Sequence, residues 1–254
     1  MPGPLIPIVH THIDFAPYSA RFIFDKALAA IQKRGLFRLG LSGGNTPRPV
    51  HAELVKLAGD LPWQKVQITF GDERCVPPDH PDSNYRMARE SLLDLVPIPA
   101  GNVFRIRGEI DPETAAKEYQ AQLSAFAGRF KEAVYRHDLL LLGLGEDGHT
   151  ASLFPDSPAL KETARQVIPA TGPKPPPRRI TMTFPLINAS RDIAFLVNDI
   201  AKQPIIDDIL CDEDDSVYPA ARVHPEEGTL HWLIGHEFPP CEGDEAFLED
   251  PLPE

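Results

Sequence analysis

The residues best suited to catalysis occur together in one short segment, residues 145–150, with the sequence GEDGHT. His149 carries an imidazole, whose unperturbed pKa of about 6.5 suits a general base at neutral pH. Asp147 stands two residues earlier, so in an extended backbone the two side chains can point the same way. We therefore expect His149 to take a proton from an attacking water and an acidic side chain to support its ring.

A second polar segment, residues 42–46 with the sequence SGGNT, comes directly before Pro47. Its two glycines have no Cβ, so their backbone N–H groups can approach an anion, and a helix beginning at Pro47 would add the positive end of its dipole. No Gly-Lys-Ser/Thr follows, so the segment is not a P-loop. A tight strand-to-helix turn with a threonine N-cap explains the same pattern. The candidate anion-binding residues are Ser42, Gly43, Gly44, Asn45 and Thr46.

A third segment, residues 71–74 with the sequence GDER, places three charges after an apolar run. Arg74 can bind a phosphate or a sugar oxygen through its guanidinium. Asp72 is a second acid that could support His149 in place of Asp147, and the sequence leaves that choice open. A self-paired surface turn is the alternative interpretation of these charges.

Two further cations, Arg179 and Lys202, are candidates for contacts with phosphate or sugar. Arg179 ends the run KPPPRR at residues 174–179, where rigid prolines hold three cations close to the start of a predicted strand. Lys202 follows the apolar run at residues 193–197, so we expect it at the same edge of the sheet as the polar segments. The alternative for Arg179 is a basic surface loop, and the alternative for Lys202 is an ordinary lysine in the first turn of a helix.

Apolar runs that alternate with amphipathic stretches predict an α/β fold with a mostly parallel sheet flanked by helices on both faces. The predicted strands are residues 37–41, 66–70, 138–144, 180–184, 193–197 and 230–234. The predicted helices are residues 19–31, 83–95, 112–126, 202–210 and one that begins near Pro47. Three of these strands run directly into polar segments, and in open α/β sheets ligands bind at the carboxyl ends of the strands. We expect residues 1–236 to form one catalytic domain and residues 237–254 an acidic, proline-containing tail.

Composition excludes several classes of function. The 254 residues carry a formal net charge of −12, which is unfavourable for general binding of nucleic acid or of anionic membranes. The nine histidines show no HExxH pattern, and the three cysteines form no CxxC pair, so we expect no metal site and reduced thiols. No apolar run is long enough for a membrane span and no signal peptide is recognisable. We expect a cytoplasmic protein without a cofactor, a monomer or weak homo-oligomer.

Five segments taken together resemble the 6-phosphogluconolactonase family. They are SGGNTP, GDERCVPPDHPDSNYRMA, LLLLGLGEDGHTASLFP, KPPPRRITMTFPLINAS and YPAARV, in the order of that family. The resemblance implies a Rossmann-like fold shared with glucosamine-6-phosphate deaminases and isomerases. It also implies hydrolysis of 6-phospho-D-glucono-1,5-lactone to 6-phosphogluconate in the pentose phosphate pathway, without a cofactor. Under it, His149 is the general base, residues 43–46 hold the phosphate, and the remaining candidates contact the substrate: Asp72, Arg74, Arg179 and Lys202.

Two other functions fit the same fold. A sugar-phosphate isomerase or deaminase needs a carboxylate to shuttle a proton between C1 and C2, and Asp72 could serve. A non-catalytic phosphosugar-binding protein would keep Gly43 and Gly44 but could dispense with His149. The KPPPRRITMTF and DERCVPP segments favour the lactonase over the first, and the intact GEDGHT segment argues against the second.

Overall fold

In the computed structural model, the main feature of the chain is a parallel β-sheet. The structure describes residues 7–211 and 217–237, together with the backbone of residues 248–249. Within these residues seven strands pair in parallel in the order β10-β1-β9-β8-β5-β2-β3. Their bounds are β1 Ile8–Thr11, β2 Phe37–Leu41, β3 Val66–Phe70, β5 Leu139–Gly143, β8 Asp192–Val197, β9 Thr229–Ile234 and β10 Leu248–Glu249.

Strands β2, β3 and β5 are mainly apolar and almost wholly buried. Every residue of β2 and β3 is buried, as are the four leucines of β5. A strand with both faces covered reads as a continuous apolar run because neither side meets water. The predicted bounds of β2 and β3 are confirmed, and the predicted mostly parallel sheet flanked by helices is confirmed as well.

A reversal in strand order locates the natural ligand site of this sheet. From β2 the chain moves outward to β3, and it then returns to place β5 on the other side of β2. Ligands in open α/β sheets bind at such a switch point, outside the carboxyl ends of the two strands. Here those ends lead into residues 42–46 and residues 143–150.

Six helices cover or border the sheet within the described residues. Their bounds are α1 Phe15–Arg34, α2 Pro47–Lys56, α3 Asn84–Ser91, α4 Pro112–Arg129, α5 Phe184–Ile187 and α6 Gln203–Cys211. Helix α1 begins four residues earlier than the sequence pattern predicts and ends at Gly35, which takes a left-handed φ of 77°. Helix α3 is shorter than predicted and is followed by a 3₁₀ turn, Leu93–Leu95.

A second, antiparallel sheet of three strands was not predicted. Its strands are β4 Asp72–Arg74, β6 Val167–Thr171 and β7 Arg178–Met182, in the order β4-β7-β6. Residues 72–74 are therefore a strand rather than a loop, because their backbone pairs with residues 179–181 of β7. The strand predicted at 180–184 also starts and ends earlier, and it lies in this sheet instead of the parallel one.

The structure bears on three other expectations from the sequence. Among the described helices, none combines the length and the apolar character needed to cross a membrane. Cys75 is a free thiol, whereas Cys211 is disulfide-bonded, so the expectation of reduced thiols is wrong for Cys211. The predicted tail at 237–254 lies outside the described residues, apart from residue 237 and the backbone of β10.

Candidate active site

One cavity of about 570 Å³ collects every candidate residue named from the sequence. It opens at the carboxyl edge of the parallel sheet, between the ends of β2 and β5. The candidates that line it are Ser42, Gly43, Gly44, Asn45, Thr46, Asp72, Arg74, Asp147, His149, Arg179 and Lys202. Its lining also includes polar and aromatic residues outside that set, among them Asn84, Glu146, Phe154 and Lys174.

The His149 loop, residues 143–150, is folded tightly after β5. The Gly145 amide donates to the carbonyl of His149 (2.8 Å), and the Gly148 amide donates back to the carbonyl of Gly145 (3.2 Å). Gly148 has a φ of 72°, a left-handed conformation that glycine adopts at no steric cost. The Thr150 hydroxyl donates to the Gly143 carbonyl (2.9 Å) and closes the loop onto the strand end.

His149 and Asp147 form a hydrogen-bonded pair. The distance between His149 Nδ1 and Asp147 Oδ1 is 2.5 Å, and the same oxygen accepts from the His149 amide (3.2 Å). Burial tends to raise the pKa of Asp147, but the hydrogen bond and charge of His149 hold it below its usual value. The Phe154 ring packs beside the imidazole, with 4.4 Å between centroids. An orienting carboxylate on one ring nitrogen is the arrangement that a general-base histidine requires.

A glycine makes room for this pair. A Cβ added at Gly145 would lie 2.0 Å from His149 Nδ1 and 2.7 Å from Asp147 Oδ1. Real Cβ atoms do not approach other atoms so closely, so a larger residue would displace the pair. The glycine at position 145 therefore sets the geometry of the two side chains as well as the path of the backbone.

Asp72 is held by other partners. Its Oδ1 accepts from Asn84 Nδ2 (3.0 Å) and its Oδ2 from the Ser152 hydroxyl (2.6 Å). The residue is buried, and no hydrogen bond joins it to His149. Of the two acids that the sequence left open, Asp147 is the one in contact with His149.

Glu73 is a buried carboxylate whose role the sequence did not reveal. Its two oxygens accept from the backbone N–H groups of Arg74, Asn84 and Tyr85 and from the Ser83 hydroxyl, at 2.7 to 3.0 Å. Burial raises the pKa of Glu73 to about 7, although the backbone donors act in the opposite direction. Because Asn84 begins α3, Glu73 fixes that helix end next to the cavity.

The SGGNT segment leads into α2 without a side chain that caps the helix. Thr46 has helical backbone angles and makes no side-chain cap hydrogen bond, so the alternative of a threonine N-cap is not what the structure shows. Gly44 takes a φ of 89°. The Ser42 hydroxyl is buried without a hydrogen-bond partner among the described residues. Such free donors beside a helix start suit an anion.

Three cations of the cavity share one unusual feature. Arg74 donates to the carbonyl of Asp82 (2.6 Å), Arg179 to that of Lys174 (3.5 Å), and Lys202 to that of Leu144. Within the described part of the chain, none of the three forms an ion pair with a carboxylate. Carbonyl oxygens orient these groups without cancelling their charge, so the cavity keeps a local positive field despite the acidic composition.

Metal ligands do not converge at the cavity. Across the described ranges, no group of three or more His, Cys, Asp or Glu side chains is arranged to hold a metal ion.

Comparison with known proteins places the chain among sugar-phosphate enzymes. A family model described as glucosamine-6-phosphate isomerases/6-phosphogluconolactonase matches residues 11–232. The chain is 44% identical over 214 residues to a 6-phosphogluconolactonase from Synechocystis sp., covering 82% of this chain and 85% of that protein. It is 38% identical over 240 residues to the Homo sapiens 6-phosphogluconolactonase, and 92% of each chain is covered.

Solved structures give the same result for the fold. The 6-phosphogluconolactonase of Trypanosoma brucei matches with a TM-score of 0.80 and 31% identity, covering 91% of this chain and 97% of that one. The Thermotoga maritima 6-phosphogluconolactonase matches with a TM-score of 0.78 and 27% identity, covering 90% and 99%. The predicted Rossmann-like fold, of the glucosamine-6-phosphate isomerase type, is confirmed.

Proposed function

The chain belongs to the family of glucosamine-6-phosphate isomerases and 6-phosphogluconolactonases, and from that membership we propose how its cavity carries out lactone hydrolysis. The chain is an enzyme that hydrolyses 6-phospho-D-glucono-1,5-lactone to 6-phosphogluconate in the pentose phosphate pathway. The proposal concerns the role of each side chain. The hydrogen bond between His149 and Asp147 is the single observation that carries it.

His149 acts as the general base. As water attacks C1 of the lactone, the imidazole takes one proton from it, and Asp147 stabilises the resulting imidazolium. Collapse of the tetrahedral intermediate breaks the bond between C1 and the ring oxygen, and that oxygen takes the proton back from His149. The base is regenerated, no covalent enzyme intermediate forms, and the atoms balance as lactone plus water giving the open acid.

The oxyanion that develops at C1 needs a donor. The candidate is the guanidinium of Arg74, which lines the same cavity, because the N–H groups of Gly145 and Gly148 already donate within the His149 loop. A donor positioned in this way typically contributes about 3 kcal/mol to transition-state stabilisation. Because the Asp82 carbonyl already holds one N–H group of Arg74, the guanidinium is oriented before the substrate arrives.

The phosphate lies at the other side of the cavity. We assign it to the SGGNT segment and to the cations Arg179 and Lys202. Support comes from the Ser42 hydroxyl, which has no hydrogen-bond partner, and from both cations, which form no ion pair, among the residues that the structure describes. Since the phosphate is remote from C1, its binding energy serves to position the ring.

The rival activity, isomerisation or deamination of a sugar phosphate, is less well supported. It needs a carboxylate free to move a proton between C1 and C2. Asp72 is the available acid, but each of its oxygens already accepts a hydrogen bond, from Asn84 or Ser152. Purified protein should hydrolyse freshly prepared lactone and leave glucosamine 6-phosphate unchanged; the reverse result would establish the rival.

The role of His149 is tested by the His149→Ala variant. We expect kcat to fall about 10²- to 10⁴-fold, because a general base contributes an acceleration of that size. Affinity for inorganic phosphate should stay within about twofold, since the imidazole is not assigned to the phosphate. His224→Ala, at an exposed position, is the matched control. Turnover near that of the control would remove His149 from the mechanism.

The cytoplasmic location and the monomeric or weakly associated state expected from the sequence stay predictions. Size-exclusion chromatography with light scattering tests the second directly.

A further inference from the structure

An exposed ion pair spans the opening of the cavity. Lys174 Nζ lies 3.5 Å from Glu146 Oε2, and the two side chains are 80% and 81% exposed. Both residues line the cavity. Glu146 belongs to the His149 loop, whereas Lys174 belongs to the turn between β6 and β7, so the pair joins two separate elements across the entrance.

This lysine differs from the other cations of the cavity. Arg74, Arg179 and Lys202 contact backbone carbonyls and keep their full charge for a ligand. In the described part of the chain, Lys174 is the cavity-lining cation whose charge is compensated by a carboxylate. An anion at the entrance of a site for an anionic substrate would repel that substrate, unless its effect is removed during binding.

The backbone under Lys174 is fixed while its ammonium is not. The Gly172 amide donates to the Pro177 carbonyl (2.7 Å), which closes the turn, and the Lys174 carbonyl accepts from Arg179. Prolines at positions 173 and 175 restrict the backbone on both sides. The four-carbon side chain of lysine keeps its rotatable bonds, so its ammonium can change partner without movement of the turn.

We propose that Lys174 is a specificity-determining residue that exchanges Glu146 for the phosphate of the substrate. The inference rests on the proposed function and names an additional residue for the same site. An exposed ion pair between a lysine and a carboxylate is weak. A phosphate monoester carries a charge of about −1.5 to −2 and offers three acceptor oxygens, so it attracts the same ammonium more strongly. The exchange therefore favours phosphorylated lactones over unphosphorylated ones, and Glu146 acts as a competitor for the same ammonium.

If Glu146 and the substrate phosphate compete for the ammonium of Lys174, neutralising Glu146 and neutralising Lys174 should have opposite effects. We compare the KM for 6-phosphogluconolactone with the KM for unphosphorylated glucono-1,5-lactone and take their ratio. Glu146→Gln should lower that ratio about two- to fivefold, and Lys174→Gln should raise it about three- to tenfold, which is the range of exposed charge contacts. The double variant should resemble Lys174→Gln. Both shifts should shrink at roughly 0.5 M salt because exposed charges are screened.

The control is a second exposed ion pair, which lies outside the cavity. Lys117 lies 3.4 Å from Glu113 on α4, and Lys117→Gln should leave the ratio unchanged. The inhibition constant of inorganic phosphate supplies a second measurement, expected to fall in Glu146→Gln and to rise in Lys174→Gln. Ratios that are unchanged, or that rise in both variants, would overturn the exchange while the lactonase assignment stands. A wild-type protein without lactonase activity would instead overturn the proposed function.

Discussion

Two corners of the cavity each contain carboxylates, yet their surroundings differ in kind. At one corner Asp147 and His149 have side chains that are 42% and 31% exposed, and they bond mainly to one another. At the other corner Asp72 lines the cavity and Glu73 lies next to it. These residues are 8% and 2% exposed, and every carboxylate oxygen accepts a hydrogen bond from another residue. The first corner is exposed to a ligand in the cavity, whereas the carboxylates of the second hold neighbouring elements together.

This difference shows that proximity to a cavity does not define the role of an acid. A carboxylate whose oxygens all accept hydrogen bonds from neighbouring elements holds those elements together, so it has a structural role. A carboxylate with a single partner can change its interaction with that partner during a reaction. Three substitutions test the contrast, from the largest expected effect to the smallest.

Asp147→Asn should have the largest effect. The amide cannot stabilise the imidazolium and can favour the wrong tautomer of His149, so kcat should fall about 100-fold. The free energy of unfolding in urea should change little, because the residue is half-exposed. Asp156→Asn, at an exposed position soon after the same loop, serves as the control. A large loss of stability with unaltered kcat per folded molecule would make the two corners equivalent.

Gly145→Ala should have an intermediate effect. The added methyl group would lie 2.0 Å from His149 Nδ1, so the ring and Asp147 must shift, and we expect kcat to fall about 30-fold. Gly128→Ala on α4, where an added Cβ meets no atom within 4 Å, should behave as wild type. The measurement is the kcat of each variant in steady-state kinetics. Equal kcat values would show that His149 and Asp147 tolerate displacement.

Glu73→Gln should have the smallest effect, a change in how the free energy of unfolding depends on pH. Burial raises the pKa of Glu73 to about 7 in the folded protein, above the ordinary value of 4.5. Its contribution is therefore fully present below pH 4.5 and is lost as the pH rises through 7. We subtract the unfolding free energy of the Glu73→Gln variant from that of wild type at each pH. The difference should be about 1 to 2 kcal/mol larger at pH 5 than at pH 8.

Subtraction of the variant isolates this carboxylate. Burial lowers the pKa of His51 to about 4 and that of His137 to about 3, so these histidines destabilise the fold as the pH falls below their unfolded values. Both histidines are present in the two proteins and cancel in the difference. Parallel stability curves from pH 5 to pH 8 would mean that Glu73 titrates as an ordinary exposed acid.

Much of the fold could be predicted from sequence because its strands are buried on both faces. The runs at 37–41 and 66–70 are short, mainly apolar and rich in strand-forming residues, and each ends at a glycine-containing polar segment, which is typical of a buried strand. The location of the site followed from the same strands, since polar segments come directly after them. All eleven candidate residues accordingly line one cavity.

The antiparallel sheet could not be predicted by the same reasoning. Strand β4 consists of Asp72, Glu73 and Arg74, which have no apolar periodicity, and β6 contains a proline. These segments are strands because β7 pairs with both of them, with β4 from a distant part of the chain and with β6 across the turn that follows it. Pairing partners, and not local propensity, determine strands of this kind. The burial of Glu73 depends in the same way on backbone donors that no motif specifies.

The carbonyl contacts of Arg74, Arg179 and Lys202 also bear on the entropy of binding. A long cationic side chain that is loose before binding loses rotamer freedom when it contacts a ligand, at about 0.5–1.5 kcal/mol for each chain. Here the backbone has already restricted all three chains, so that loss is incurred when the protein folds and not when the substrate enters. The site is thereby preorganised for an anion, and its affinity depends less on how many contacts form than on how little must be ordered to form them.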